Sequence, residues 1–77
     1  MALIREFEQK EIDRASVHQE IKAKYAVIER DGRVLLQIDT CGRSTREHPE
    51  KVSQSLQFDR QGAERLFDIL KNVFRFN

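Results

Sequence analysis

The chain has 77 residues, with 14 Lys and Arg against 13 Asp and Glu, a formal net charge of +1 and one cysteine. That length holds one domain at most, over residues 1–77, and buries only about 60% of the surface exposed by the unfolded chain, so some staple is needed. An intrachain disulfide is excluded by the lone Cys41, chelation is disfavoured because Cys41, His18 and His48 lack paired spacing, and the balanced charge provides no global field for polyanions.

Self-association is left as the expected staple. No apolar run approaches a membrane span, and "MALIREFEQK" lacks a signal-peptide core. A soluble cytoplasmic protein with a reduced thiol and no membrane partner is therefore expected.

The first 15 residues fit two descriptions. Leu3, Arg5 and Phe7 alternate with Ile4 and Glu6 as in a short strand, while Ile4, Phe7 and Glu8 share a helical face. A short edge strand or arm is expected there. From residue 16 to 30, Val17, Ile21, Ala23, Tyr25 and Val27 point one way, and Ser16, His18, Glu20, Lys22, Lys24 and Arg30 the other. This period of two predicts a strand with one wet face. Asp31-Gly32 then signals a tight hairpin, because a primed turn needs positive φ.

The returning strand, "VLLQIDTC", sets Val34, Leu36 and Ile38 against Leu35, Gln37 and Asp39, and Gly42 ends it. A polar loop with the only proline, Pro49, leads to "VSQSLQFD", where Val52, Leu56 and Phe58 face the core and Ser53, Ser55 and Gln57 face out. The strands are thus expected within residues 16–58. Asp59 suits an N-cap. The helix expected over residues 59–76 carries Ala63, Leu66, Phe67, Leu70, Val73 and Phe74 in one stripe, with Ile69 and Phe76 at its margin. The whole reads as an α+β fold, an antiparallel sheet of three to four strands with one C-terminal helix packed across one face.

Such a cover leaves the other face of the sheet as the candidate working surface. Its residues are Lys22, Lys24, Arg30, Arg33, Leu35, Gln37, Ser53, Ser55 and Gln57, with Arg43, Arg46, His48 and Lys51 from the adjoining loop. Lys and Arg neutralise phosphates, and Ser and Gln bond phosphate oxygens or base edges. A polar outward face is also what any half-solvated antiparallel sheet shows. Glu20, Asp39, Glu47 and Glu50 lie among the cations, and most aromatic residues fall on core positions.

"KYAVIERDGRVLLQIDTCG", a polar loop, "PEKVSQSLQFD" and one helix resemble the positive-cofactor-four family of transcriptional coactivators. The likeness covers about residues 21–76, with Gly32, Val34, Leu35, Ile38, Pro49, Lys51, Ser55 and Leu56 at matching positions. It implies a homodimer paired through its helices, binding single-stranded DNA on the sheet, with Lys22, Lys24, Arg33 and Lys51 gripping phosphate. The family's central-loop aromatic is missing here, and its glycine-lysine cluster is replaced by "EKVSQ". The stretch from Leu35 to Asp59 also resembles short bacterial proteins labelled methionyl-tRNA formyltransferase or left uncharacterised. Formyl transfer needs a folate-binding α/β domain with an Asn-His-Asp set, for which 77 residues are too few.

No enzyme is expected. Nothing in the spacing brings His18 or His48 to Cys41, Asp59 is accounted for as a cap, and Gly32, Gly42 and Gly62 are too scattered for a phosphate cradle. No cofactor or metal is expected either. Two functions remain open: a small dimeric module binding single-stranded DNA or RNA, or a protein-interaction adaptor. The adaptor would offer its strand edges or Ile69, Val73, Phe74 and Phe76 to a partner.

Overall fold

The computed structural model describes residues 1–42 and 52–76. Along the chain these form β1 (Ala2–Ile4), β2 (Ala23–Arg30), β3 (Arg33–Cys41), β4 (Val52–Phe58) and α1 (Arg60–Phe74). The strands make one sheet in the order β1-β4-β3-β2. The β2/β3 and β3/β4 pairs are antiparallel, whereas β1 lies parallel to β4. The layout is therefore α+β with a mixed, mostly antiparallel sheet and one C-terminal helix.

The hairpin forms where Asp31-Gly32 requires it. Asp31 has φ 54° and Gly32 φ 71°, the double left-handed pair of a primed two-residue turn. β2 is shorter than the alternation in residues 16–30 suggested. Its ladder runs out with β3, where the Cys41 N–H donates to the Lys22 carbonyl at 3.0 Å. Among the described residues no strand pairs with residues 16–21, which are exposed, Val17 completely (101%). A period of two describes a side-chain pattern; a strand also needs a neighbour for its backbone groups.

Register sorts the sheet into two faces. Tyr25, Ile38, Leu56 and Ala2 form one cross-sheet row, and Val27, Leu36, Phe58 and Ile4 form the next. This is the apolar face. Among the described residues only Cys41 (3% exposed) and Phe58 (4%) are buried apolar side chains. Phe7, from the arm, stacks on Phe58 at 6.4 Å between ring centroids.

The helix starts under tight control. Asp59 is its N-cap, and one carboxylate oxygen accepts the Gly62 N–H at 2.9 Å. The other oxygen pairs with Arg5 Nε at 2.8 Å. Gly62 is buried against β1, where a Cβ would collide with the Ile4 carbonyl oxygen. At the far end Arg75 adopts φ 56° and donates its N–H to the Lys71 carbonyl, closing the helix without the usual glycine. Between these ends the expected cover is realised only near the start. Leu66 is half-buried, and every residue from Phe67 to Phe76 is exposed.

Two outcomes test this junction. Alanine exceeds glycine in helix propensity by about 1 kcal/mol, yet Gly62→Ala should lower the melting temperature, because its methyl displaces the Ile4 backbone; a rise would refute the close approach. The second concerns pH. The hydrogen bond from Gly62 holds the Asp59 carboxyl below its ordinary 3.8; desolvation opposes this, and the Arg5 and Arg33 charges reinforce it. Stabilisation from a depressed carboxyl is complete above the unfolded value and is lost as pH falls through the folded one. Below pH 3.8, then, wild-type thermal stability should fall more steeply than that of Asp59→Asn, and parallel curves would dismiss the ionic part of the cap.

Candidate nucleic-acid interface

The opposite face follows from the same register. It presents Lys24, Ala26, Ile28 and Arg30 from β2, Arg33, Leu35, Gln37 and Asp39 from β3, and Ser55 and Gln57 from β4. Leu3 of β1 lies beside Gln57. The cations occupy the side nearer the β2 edge and the hairpin, where Arg30 and Arg33 face each other across the turn. The uncharged polar groups occupy the centre, on β3 and β4.

Those central groups form a connected ladder. Gln57 Nε2 donates to Gln37 Oε1 at 2.9 Å, and Gln37 Nε2 donates to Asp39 Oδ1 at 3.0 Å. The Ser55 hydroxyl donates to the same Asp39 oxygen at 2.6 Å. All three links are half-buried, two of them crossing from β4 to β3 and one running along β3, so the side chains hold fixed directions. Lys24 stands opposite Asp39 across the β2/β3 ladder. Asp39 is the hub, a role that its place among the cations in the sequence did not suggest; cross-strand register alone shows it.

The other expected residues are distributed differently. Ser53 lies next to the register shift at Thr40/Cys41, where its hydroxyl and that of Thr40 are 2.9 Å apart. Lys22 precedes β2 and meets the sheet through its carbonyl. Arg33 is drawn toward the helix cap, with Nη2 at 3.8 Å from Asp59 Oδ2. Arg43, Arg46 and Lys51, with His48 and Pro49, lie outside the described residues. Ile69, Val73, Phe74 and Phe76 are exposed on and just beyond α1, and the Phe74 and Phe76 rings stack at 5.8 Å.

No ring from Tyr25 or Phe58 reaches the polar face, because both belong to the apolar rows. A ligand on the polar face would therefore meet charges, amides and hydroxyls rather than a stacking platform. Among the described residues no group of His, Cys, Asp and Glu could hold a metal ion, and no helix is long and apolar enough to cross a membrane. No family model, curated protein or solved structure matches the chain.

The ladder makes a specific energetic demand. Asp39→Ala leaves the Ser55 hydroxyl and one Gln37 amide hydrogen without their acceptor. Both donors are part-exposed and water can replace the bond, so the expected loss in urea unfolding is about 0.5–1.5 kcal/mol. A loss several times larger would mean that Asp39 is more deeply engaged than the ladder implies.

Proposed function

We propose that the protein is a small homodimeric module that holds single-stranded DNA or RNA on the polar face of its sheet. The observation that supports this reading is the one-sided chemistry of that face. Exposed Lys24, Arg30 and Arg33 lie along one side, beside a row of oriented amide and hydroxyl groups. Phosphates follow the cationic side, where point charges and guanidinium forks neutralise them. Bases turn toward Gln37, Ser55 and Gln57, whose donors and acceptors match base edges. The Asp39 carboxylate repels phosphate from the centre and so keeps the backbone of the ligand on the rim.

Three phosphate contacts give a salt slope of about −2 for single strands. Fluorescence polarisation with an unstructured oligonucleotide at two salt concentrations measures it. Lys24→Glu combined with Arg30→Glu should abolish binding without loss of fold, and Asp39→Asn should strengthen it by removing a negative charge. Affinity that ignores salt, or that survives the double reversal, overturns the reading.

A second reading rests on the β2 edge. This strand has eight residues, lies outermost in the sheet and contains no proline, so an extended peptide could add alongside it. Under this adaptor reading a proline within β2 would abolish capture of a partner and leave oligonucleotide binding unchanged.

A further inference from the structure

We infer that the apolar face of the sheet is covered by the helix of a second copy of this chain, each copy lending its helix to the other. The inference rests on the homodimer proposed above and specifies which surfaces meet. Its first support is area. The chain exposes 7585 Å², whereas a compact monomer of 9.1 kDa exposes about 4,900 Å². The excess is about 2,700 Å². Part of it lies in the exposed segment of residues 8–22. An obligate dimer interface takes roughly 1,000 Å² or more per copy, well within that excess.

Shape agrees with area. The radius of gyration is 14.9 Å, against about 11.5 Å for a compact chain of this length. The extension comes with two exposed apolar surfaces rather than one. On the sheet, Tyr25 (76% exposed) and Val27 border Leu36 and Ile38, and Ala23, Tyr25, Leu36 and Ile38 line an apolar depression. On the helix, Phe67, Leu70, Val73 and Phe74 (62% exposed) line up at spacings of three and four. A 15-residue helix is about 22 Å long, close to the roughly 24 Å of the seven-residue β4.

The helix does not close on its own sheet. Its first turn is fixed by the Asp59 cap, the Arg5 pair and the Gly62 contact with Ile4, with one residue between β4 and α1. Because both apolar surfaces belong to the same chain, one two-fold rotation can cover both at once and leave no sticky remainder. A foreign partner would have to supply both a helix-like ridge and a groove. A second copy has them already.

The test uses the full chain carrying single cysteines, with buried Cys41 left in place as a control. Tyr25→Cys and Phe74→Cys are unfolded and refolded together, then treated with a short bis-maleimide. The expected result is a cross-linked pair of doubled mass in the mixture and none from either variant alone. Cross-linking of Phe74→Cys to itself, alone and in the mixture, with no Tyr25→Cys chain joined to a Phe74→Cys chain, overturns the exchange and leaves a dimer joined helix to helix. Cross-linking within one chain of the double variant, without doubled mass, overturns it in favour of the chain's own helix. Sedimentation of the unmodified protein as a monomer overturns the homodimer as well. Oligonucleotide binding is read separately by polarisation, so its failure leaves this inference standing.

Discussion

The short contact between the Gly62 backbone and the Ile4 carbonyl governs the layout of the molecule. A glycine in the first turn of a helix is unfavourable in isolation. Here it lets the backbone of β1 come within contact distance of α1, which any side chain would prevent. The same few residues carry the Asp59 cap, the Arg5 ion pair and the stacking of Phe7 on Phe58. The N-terminal arm is thereby held to the outer side of β4, with which β1 pairs in parallel. The junction also sets the direction in which α1 leaves the sheet.

That direction has consequences for stability. The two buried apolar side chains among the described residues are far too few to offset the backbone entropy of ordering dozens of residues, at about 1–2 kcal/mol each. Fully burying one Leu, Phe or Val contributes about 1.5–3 kcal/mol. The apolar rows of the sheet and the stripe of the helix contain the side chains that could make up the difference, but they do so only when removed from water. The fold of a single copy is thus a frame whose main stabilising surfaces face outward. Its secondary structure is well specified by local chemistry, while its stability depends on what those surfaces meet.

Local chemistry is also what the sequence makes legible. Asp31-Gly32, the Asp59 cap and the switch from period two to period three and four each leave a signal within a few residues, and each element appears where that signal puts it. Residues 16–21 keep the alternation of a strand, yet no described strand continues beyond the end of β3 to pair with them. The parallel pairing of Ala2–Ile4 joins segments more than fifty residues apart and has no local mark. The exposed helix is the largest departure from expectation. An amphipathic stripe states that an apolar face must be covered, and it says nothing of which sheet, or whose, provides the cover. On the candidate site, the alternation correctly grouped Lys24, Arg30, Arg33, Gln37, Ser55 and Gln57, whereas the central position of Asp39 needed the register of three strands.

The Asp39 ladder bears on why the two faces have different fates. Burying the polar face in a protein interface would take a carboxylate, two amides and a hydroxyl out of water, and a desolvated charge is costly unless fully paired. Asp39 accepts from Ser55 and Gln37, yet those bonds are part-exposed and open to solvent. The apolar face costs less to bury, since its two central cross-sheet rows hold aliphatic and aromatic side chains, with Glu29, Thr40 and Gln54 only in the flanking rows. In the dimer proposed above, self-association would therefore select the apolar face and leave the polar face to ligands that exchange hydrogen bonds and charge. The nucleic-acid strand proposed as ligand would meet that requirement along the Lys24–Arg30 side, where its approach would bring counterion release. On the proposed reading, the same carboxylate that makes stacking of a second copy on this face costly would also confine a bound polyanion to its rim.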